Sequence, residues 1–402
     1  MSDIITKLAT YNAALKRELE VFPVRNIAKQ INWSDRLIGI WGPKGVGKTT
    51  LLLSKLAEIS TSPEKTIYLS MDHPQFSGVS LVELAETFYQ AGGETLLLDE
   101  VHKYEDWSSH LKAIFDAFKN LKIVFSGSSA LHLQQGQGDL SRRASMYKLP
   151  ILSFREFLTI ESKHEFVPIT FPELLKDHRD VTARILQKVK PLAFFQKYLE
   201  YGAYPFYQEG VGSYHQKLVR VISHTLDSDL VFIHGLDARF STKLKTLMRL
   251  VATSVPFVPK ITDLAQSTGL SRPTVSQYLE YLEEGGLISL LRPAGRGYQK
   301  LSKPEKIYLD NTNLQYALGR TLVEVGTTRE TFCASQLREA GCMIESHSRA
   351  DFLVDGKHVI EVGGKNKDHV QIKDTPNSYL FCDEIEQGNK EKVPLWLAGF
   401  LY

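Results

Sequence analysis

The chain has 402 residues, of which 43% are hydrophobic and 23% are charged, as in ordinary globular domains. Its 48 lysine and arginine residues nearly balance 46 acidic residues. The resulting net charge of +2 excludes a surface covered with basic charge for nucleic acid but leaves room for a local basic patch. At about 100–200 residues a domain, the length predicts two to four domains.

The cysteines and the apolar stretches indicate where the protein works. Cys333, Cys342 and Cys382 are odd in number and lack metal-ligand spacing, which is typical of a reducing compartment. The opening residues MSDIITKLAT lack the basic and apolar regions of a signal peptide. No apolar stretch of the sequence approaches the roughly 20 residues that span a bilayer. We therefore expect a cytoplasmic protein without a membrane partner.

A glycine-rich motif follows the first strand that the sequence predicts. The apolar run RLIGIW precedes GPKGVGKTT, and KTTLLLSKLAEI then places apolar residues at helical spacing. A strand, a glycine loop and a helix together predict a P-loop, whose backbone N–H groups bind the phosphates of ATP. A glycine turn that only precedes a helix is the alternative. The predicted nucleotide-binding residues are Gly42, Pro43, Lys44, Gly45, Val46, Gly47, Lys48, Thr49 and Thr50.

Three further apolar strands, in KTIYLSMD, ETLLLDE and LKIVFSGSS, alternate with helical segments. This alternation predicts an α/β fold of the P-loop NTPase type with a parallel sheet covered on both faces. Lys48 would reach the β- and γ-phosphates, and the Thr49 hydroxyl would ligate Mg²⁺. TLLLDE then predicts a Walker B strand, with Asp99 holding Mg²⁺ and Glu100 polarising the attacking water. A solvated carboxylate at the end of a strand is the alternative for Glu100.

The residues after the fourth strand supply two more catalytic candidates. A hydroxyl of FSGSSALHL could sense the γ-phosphate; we favour Ser128 over Ser126 and Ser129, and helix capping is the alternative. Next, SRRASMYKLP contains Arg142 and Arg143. Either arginine could supply charge to the γ-phosphate, within the chain or across a subunit interface, as an arginine finger does. A surface arginine pair without this role is the alternative.

These motifs together resemble a known group of proteins. GPKGVGKTT, LLLDEVHKYEDW, FSGSSA, SRRASMYKLPILSFREFL and YLEYGAYPFY are similar to the AAA-like ATPases of bacteria and archaea that carry a DUF4143 C-terminal region. The resemblance covers nearly the whole chain. It implies an ATPase core, a small helical region, a winged helix and a C-terminal domain like the restriction endonucleases. In that family a Gly-Arg pair precedes the segment ending in FREFL; here Ser141 replaces the glycine, and Arg143 fits best by position.

The segment LAFFQKYLEYGAYPFY is rich in aromatic residues. Bases could stack on such a cluster. Helical spacing with Leu192 and Leu199 instead favours a packed core. We expect this region to close a helical lid over the nucleotide. The aromatic residues are Phe194, Phe195, Tyr198, Tyr201, Tyr204, Phe206 and Tyr207.

The segment ITDLAQSTGLSRPTVSQYLEYLEEGGLISLLRP predicts a helix-turn-helix followed by a strand, as in a winged helix. Glutamates on the second helix would repel a DNA backbone, so a rigid packing unit between domains is the alternative; these are Glu280, Glu283 and Glu284. If this helix enters a major groove, its candidate contacts are Ser271, Arg272, Thr274 and Gln277. The wing would contact phosphates through Arg292, Arg296, Lys300, Lys303 and Lys306.

Near the C-terminus, ADFLVDGKHVIEVGGKNKD predicts two strands joined by a tight turn. Asp351, Glu361 and Lys365 resemble the PD-(D/E)xK nuclease core, in which carboxylates bind Mg²⁺ and a lysine stabilises the attacked phosphate. In a working motif the lysine comes two residues after the acid, where this chain has Gly363. The displaced lysine favours an inactive endonuclease-like fold, in which Gly363 and Gly364 allow close approach of a partner.

The sequence thus predicts four domains. They are a P-loop ATPase domain over residues 1–155, a helical lid and connector over 156–250, a winged helix over 251–310 and a small α/β endonuclease-like domain over 311–402. In the last domain, Glu339 is a further candidate acid, and the apolar tail VPLWLAGFLY predicts a final buried strand.

The predicted function is a nucleotide-driven switch that binds and hydrolyses ATP. The C-terminal domains would recognise a protein partner or further copies of the chain. Two alternatives stay open: ATP-gated binding of DNA through the winged helix, and an ATP-regulated, Mg²⁺-dependent nuclease.

Overall fold

The computed structural model describes residues 2–18, 25–59, 65–74, 78–127, 140, 142–235, 238–254, 258, 260–295, 304–319, 324–390 and 392–402. The chain divides into two compact units, Met1–Pro150 and Ile151–Tyr402. The division falls close to the predicted boundary at residue 155, and the finer partition of the remaining chain stays a prediction. Among the described helices, none has both the length and the apolar character that crossing a bilayer requires.

A five-stranded parallel sheet forms the centre of the first unit. The strand order is β2-β3-β4-β1-β5, and every neighbouring pair is parallel. Because the strands are parallel, their carboxyl ends meet at one edge, which is where the polar residues of the predicted motifs lie. The strands are β1 (Leu37–Trp41), β2 (Thr66–Ser70), β3 (Thr95–Asp99), β4 (Lys122–Gly127) and β5 (Ser145–Lys148).

Both faces of the central strands are covered. Leu97 and Leu98 of β3 point to opposite faces of the sheet, and both are fully buried. The same holds for Val124 and Phe125 of β4, which are at most 1% exposed. This burial confirms the predicted parallel sheet, whose strands are apolar on both sides because helices cover it. The helices of this unit are α1 (Ser2–Glu18), α2 (Asn26–Gln30), α3 (Lys48–Ile59), α4 (Leu81–Gln90) and α5 (Trp107–Ala117).

The second unit begins with helices and ends with a mixed sheet. A π-helical turn at Thr225–Asp229 joins α10 to α11. The helices are α6 (Phe154–Ser162), α7 (Phe171–Lys176), α8 (His178–Leu186), α9 (Leu192–Tyr201), α10 (Val211–His224), α11 (Leu230–Ile233), α12 (Ala238–Ala252), α13 (Ile261–Thr268), α14 (Arg272–Glu284), α15 (Thr312–Leu318) and α16 (Val325–Glu339). The strands are β6 (Ile288–Leu291), β7 (Lys306–Leu309), β8 (Ile344–His347), β9 (Ala350–Val354), β10 (His358–Gly363), β11 (Ser378–Cys382) and β12 (Lys392–Pro394).

The aromatic segment forms part of the core, as its helical spacing predicts. Tyr198, Tyr204 and Tyr207 are each at most 4% exposed. The fully buried Asn313 of α15 fastens this segment, because its amide donates to the carbonyl of Tyr198 and accepts from the N–H of Ala203, each at 2.9 Å. A buried amide with all its groups paired specifies a single packing of these helices.

Two helices and a hairpin occupy the region of the predicted winged helix. A turn with Gly269 in the left-handed region (φ +65°) joins α13 to α14. The Ser271 hydroxyl caps α14 by accepting from the N–H of Thr274 at 3.3 Å. The antiparallel pair β6 and β7 then follows. The helix boundaries therefore agree with the sequence prediction.

The C-terminal sheet has the strand order β12-β11-β10-β9-β8, with antiparallel pairing from β8 to β10 and parallel pairing from β10 to β12. The predicted hairpin is formed by β9 and β10, with Asp355 (φ 52°) and Gly356 (φ 64°) both left-handed in its turn. The predicted final strand is wrong: only Lys392–Pro394 is a strand, and Leu395–Phe400 is a buried 3₁₀ helix. A short apolar run does not distinguish a strand from a buried helical turn.

Candidate functional site

The P-loop lies between β1 and α3 and depends on its glycines. Gly45 (φ 87°) and Gly47 (φ 99°) adopt the left-handed region, which other residues rarely enter. A Cβ at Gly42 would lie 2.2 Å from the carbonyl oxygen of Leu149, so a side chain has no room there. The loop thus turns its backbone sharply at the amino end of α3, where the helix dipole is positive.

Lys48 is the first residue of α3 and bends back over the loop. Its ammonium donates to the carbonyl oxygens of Gly42 and Pro43, each at 2.9 Å, and the residue is 5% exposed. Lys44 of the loop and Thr50 of α3 are partly exposed. The structure therefore places a lysine charge at the rim of the loop, as the motif predicts.

Thr49 and Asp99 come together from distant parts of the sequence. The Thr49 hydroxyl donates to Oδ2 of Asp99 at 2.7 Å, and Asp99 is 2% exposed at the end of β3. A hydroxyl oxygen and a carboxylate are the hard oxygen ligands that Mg²⁺ takes, so the residues present fit this ion.

Two more hydroxyl groups hold the Asp99 carboxylate. Tyr68 of β2 donates to Oδ2 at 2.9 Å, and Ser126 of β4 donates to Oδ1. Burial and the nearby Asp99 charge raise the pKa of Tyr68, which keeps it a neutral donor. Ser128, the favoured phosphate sensor, and Ser129 lie outside the described residues. Ser126, the remaining candidate, contacts the carboxylate predicted to bind Mg²⁺.

Glu100 follows Asp99 in a left-handed conformation (φ 55°). Its N–H donates to the Ser126 hydroxyl at 3.3 Å, and its carboxylate lies 3.2 Å from Nε2 of His102. The side chain of His102 is only 1% exposed, so it is a fixed neighbour of Glu100. A non-glycine residue with positive φ is uncommon and is found often at functional sites.

Arg25 and Tyr68 are site residues that sequence reasoning missed. The guanidinium of Arg25 donates to the carbonyl oxygens of Val46, in the P-loop, at 2.6 Å and of Pro150 at 2.7 Å. Arg25 is 9% exposed. Neither residue lies in a motif, and each reaches the site through chain pairing that the sequence does not state. The one sequence signal for Tyr68 was a tyrosine between the aliphatic residues Ile67 and Leu69 of β2.

Arg143 lies at the far edge of the sheet. Its guanidinium makes two 2.9 Å hydrogen bonds to Asp116, near the end of α5. Arg142 and Arg143 precede Ser145, the first residue of β5, and so lie at the amino edge, whereas Asp99 lies at the carboxyl edge. Four strand residues span about 13 Å. This position contradicts a role toward a nucleotide bound by the same chain, and the role across a subunit interface stays a prediction.

The predicted DNA-contacting residues divide into exposed and paired ones. Arg272 and Gln277 are exposed on α14, and the Gln277 amide donates to the Tyr281 hydroxyl at 2.6 Å. Arg292 of the predicted wing makes hydrogen bonds of 2.8 and 2.7 Å to Glu280 and of 3.2 Å to Glu283. The charge of Arg292 is therefore already balanced by two glutamates of α14, the helix that was predicted to bind DNA. Arg296, Lys300 and Lys303 lie outside the described residues.

Asp351 and Glu361 lie in a buried charged cluster with Glu330 of α16. Lys306 of β7 lies 3.3 Å from Asp351 and 3.4 Å from Glu330, so this predicted wing lysine is also paired. Burial raises the pKa of Glu330 and of Glu361, and nearby carboxylates raise both further. For Lys306, the two carboxylates outweigh burial and raise the pKa.

The lysine of this cluster is not the predicted one. Lys367 lies 2.7 Å from Oε1 of Glu361, whereas Lys365 is exposed and lies 3.9 Å from Glu384. A Cβ at Gly363 would lie 2.6 Å from the Lys367 stem, which occupies the space that we expected a partner to fill. The chain turns after β10, and this turn places Lys367 beside Glu361. The lysine of the cluster is therefore Lys367, and the prediction of Lys365 is wrong.

The predicted extra acid, Glu339, lies 3.5 Å from Arg338. The acid of α16 that joins the cluster is Glu330, 3.4 Å from Lys306, so Glu330 replaces Glu339 in the prediction. The Tyr308 hydroxyl donates to Glu330 at 2.6 Å. Among the described residues, no three His, Cys, Asp or Glu side chains are arranged to hold a metal ion. The second unit therefore has the acids of the predicted nuclease motif, but paired with lysines.

Two parts of the chain match models of protein families. Residues 34–158 match the AAA_14 family, described as an AAA domain, and residues 193–324 match a domain of unknown function, DUF8612. The DUF4143 region implied by the resemblance is not the one matched, so that assignment stays a prediction. Since residues 34–158 contain the P-loop and Asp99, they form an AAA-type P-loop ATPase domain that binds nucleotide.

Several solved structures are similar to the chain at low identity. A Walker-type ATPase of Pyrococcus abyssi is 12% identical, with a TM-score of 0.42 over 75% of this chain and 99% of that one. AMPPCP-bound DnaA from Aquifex aeolicus is 15% identical, with a TM-score of 0.27 over 66% and 90% of the two chains. PCH-2 of C. elegans is 19% identical, with a TM-score of 0.26 over 71% and 69%. No curated protein matches the sequence.

Proposed function

We propose that the first unit binds ATP with Mg²⁺ and hydrolyses it to ADP and phosphate. The observation that supports this most is the 2.7 Å contact between Thr49 and Asp99 beside the P-loop. A protein that binds Mg²⁺ for a nucleotide supplies only one or two oxygen ligands, and phosphates and water supply the rest. Bound Mg²⁺ would neutralise charge on the β- and γ-phosphate oxygens.

The loop and Lys48 would bind the phosphates. The N–H groups at the start of α3 point toward the loop, and the left-handed Gly45 and Gly47 let the backbone curl around an anion. Lys48 would exchange the carbonyl oxygens of Gly42 and Pro43 for β- and γ-phosphate oxygens. These contacts position the substrate, which accounts for most of the catalysis of phosphoryl transfer.

Glu100 would orient the attacking water and accept its proton. Its backbone N–H is fixed by Ser126, and His102 holds its carboxylate, so the side chain has a defined starting position. A general base must lie within hydrogen-bond reach of the water, and Glu100 adopts its left-handed conformation directly after β3, beside the P-loop and Asp99. General-base catalysis typically contributes 10²- to 10⁴-fold.

The test of this proposal separates binding from hydrolysis. Glu100→Gln keeps the shape of the side chain and removes the base. We expect phosphate release to fall about 10²- to 10⁴-fold, while a fluorescent ATP analogue binds as tightly as to the wild type. A wild type that releases phosphate no faster than Glu100→Gln would contradict the proposal.

The output of the ATPase is proposed to be a switch that acts on a protein partner or on further copies of the chain. The paired charges of the second unit support this, since Arg292 and Lys306 serve its own folding and not a phosphate backbone. Copurification and mass measurement with ATP, with ADP and without nucleotide test it. A state of association that does not depend on the nucleotide would contradict the switch.

DNA binding through α14 is a second candidate function. The exposed Arg272 in its first turn, together with the exposed Gln277, supports it. Binding of a duplex should weaken steeply with salt, and Arg272→Ala should lower the salt slope by about one. Unchanged binding in Arg272→Ala would reject this surface. A nuclease is less supported, because its acids are paired with lysines; Mg²⁺-dependent cleavage lost in Asp351→Ala would establish it.

A further inference from the structure

Tyr68 is a buried tyrosine between the aliphatic core residues Ile67 and Leu69 of β2. It pairs with Leu97 in the sheet, while Asp99 pairs with Ser70, so Tyr68 and Asp99 are diagonal neighbours on adjacent strands. With strands about 4.8 Å apart and a rise of about 3.3 Å a residue, their backbones are about 8 Å apart. Only a long side chain spans this distance, and the Tyr68 hydroxyl reaches Oδ2 of Asp99 at 2.9 Å.

We propose that Tyr68 is a positioning residue, whose hydroxyl fixes the Asp99 carboxylate in the orientation that receives Mg²⁺ with the nucleotide. The inference rests on the proposed ATPase function and names a residue that no motif of that function includes.

The lone pairs of Asp99 show how the orientation is fixed. A carboxylate offers about four acceptor sites on two oxygens. Among the described residues, the hydroxyls of Thr49 and Tyr68 occupy Oδ2 and that of Ser126 occupies Oδ1. One site on Oδ1 is left for a cation or a water molecule bound to it. With donors on both oxygens, the carboxylate cannot rotate without breaking hydrogen bonds.

The neutrality of the donor matters as much as its position. Asp99 is 2% exposed and Tyr68 is 4% exposed, so water does not replace a missing donor at this carboxylate. A lysine in place of Tyr68 would cancel the charge that attracts the cation, whereas a hydroxyl leaves it intact.

The proposal predicts a specific defect for Tyr68→Phe, which removes one oxygen atom and keeps the ring. Groups that orient metal ligands typically contribute 10- to 100-fold to metal affinity. We expect the Mg²⁺ concentration for half-maximal binding of a fluorescent ATP analogue to rise about tenfold. Binding of the same analogue in EDTA should match the wild type, because the P-loop is untouched.

Tyr104→Phe is the matched control. Tyr104 lies in the same unit, and its hydroxyl accepts from the N–H of Leu81 at 3.1 Å without contacting Asp99. A loss of stability alone would affect both variants, whereas only Tyr68→Phe should shift the Mg²⁺ titration. Ser126→Ala, which removes the donor to Oδ1, should shift it in the same direction and serves as the test if Tyr68→Phe does not fold.

Two results would overturn the proposal. An unchanged Mg²⁺ titration would show that the Tyr68 hydroxyl is only structural. A lower Mg²⁺ requirement would show that the hydroxyl competes with the cation. If the wild type itself binds the analogue without any Mg²⁺ dependence, the proposed function fails before the role of Tyr68 is reached, so the two failures are distinguishable.

Discussion

Asp99 in the first unit and Glu361 in the second are both buried carboxylates, 2% and 4% exposed, yet the groups that hold them differ in charge. Asp99 accepts hydrogen bonds from three neutral hydroxyl groups. Glu361 faces the ammonium of Lys367, and its neighbour Asp351 faces that of Lys306. Both arrangements stabilise a buried acid, but they leave it with different properties.

A binding site and a structural cluster can therefore contain the same acids and still differ in their affinity for a cation. Hydroxyl donors orient a carboxylate without cancelling its charge, so Asp99 keeps the attraction that a cation needs. In the cluster around Glu361, two ammonium groups pair with the three acids and offset most of their charge, so the cluster already contains cations. The charge of the partners, and not the number of acids, separates the proposed Mg²⁺ site from the predicted nuclease site.

The largest expected effect concerns the lysine at the P-loop. Lys48→Met removes the charge that would contact the phosphates, and loss of one such group typically costs 10²- to 10³-fold. We expect phosphate release to fall at least about 100-fold, while thermal unfolding changes little. Steady-state phosphate release and thermal unfolding measure the two effects. A loss of phosphate release that is explained by unfolding of Lys48→Met at the assay temperature would contradict the proposed role of Lys48.

The lysine of the second cluster should behave in the opposite way. Lys306→Met leaves Glu330 and Asp351 without their shared ammonium. Breaking a fully buried pair costs about 3–5 kcal/mol. Because the Lys306 side chain is 31% exposed, we expect a loss of about 1–3 kcal/mol in the free energy of unfolding. Denaturant unfolding checks this, with phosphate release unchanged. Stabilisation of the wild type by Mg²⁺ that Asp351→Asn abolishes would show instead that the cluster binds a cation.

We also expect the stability of the protein to depend on pH through Glu361. Burial raises the pKa of Glu361 above its ordinary 4.5, so the folded protein holds this proton more tightly than the unfolded chain does. The free energy of unfolding therefore falls as pH rises from 4.5 to above the pKa of the folded state. The total fall is about 1.4 kcal/mol for each unit by which folding raises the pKa of Glu361. Glu361→Gln lacks this titration.

We expect the stability of Glu361→Gln relative to the wild type to increase as pH rises above 4.5 and then to level off. Denaturant unfolding between about pH 4 and pH 8 measures it. A difference that is constant with pH would mean that Lys367 fully offsets the effect of burial on the Glu361 carboxylate, and a difference that decreases would mean that Lys367 outweighs burial.

The smallest effects separate the two lysines after β10. Lys367→Ala should lower the free energy of unfolding by about 1–2 kcal/mol, because Glu361 loses its partner in the interior. Lys365 is 59% exposed, and Lys365→Ala should change stability by less than about 0.5 kcal/mol. Parallel unfolding curves decide between them. A larger loss of stability in Lys365→Ala than in Lys367→Ala would show that Lys365 is the lysine that stabilises the cluster.

These two lysines also show where prediction from the sequence ends. The P-loop, the β9–β10 hairpin and the start of α14 were predicted correctly, because short local patterns of glycine and capping residues determine each of them. Lys365 was chosen over Lys367 because strand alternation was extended through Gly363. The chain turns there instead, and the Lys367 stem packs within the space that a Cβ of Gly363 would need.

Contacts between distant segments account for the other differences. The role of Tyr68 depends on the pairing of β2 with β3. The role of Arg25 depends on the carbonyl of Val46, which is 21 residues away in the sequence. No local sequence pattern carries this information. Arg143 was assigned by its distance from the motifs in sequence, but a parallel sheet has two edges, and the residue before β5 lies at the amino one. The sequence determined which residues carry charge; the fold determined which charges meet.

The most direct test compares two isosteric substitutions, Asp99→Asn and Asp351→Asn, in Mg²⁺-dependent phosphate release. We expect Asp99→Asn to lower release at least about 100-fold, because its charge is the one available to the cation. We expect Asp351→Asn to keep the wild-type rate, since Lys306 already pairs with that acid. Full activity of Asp99→Asn, or an equal loss in both variants, would contradict the distinction between the two sites.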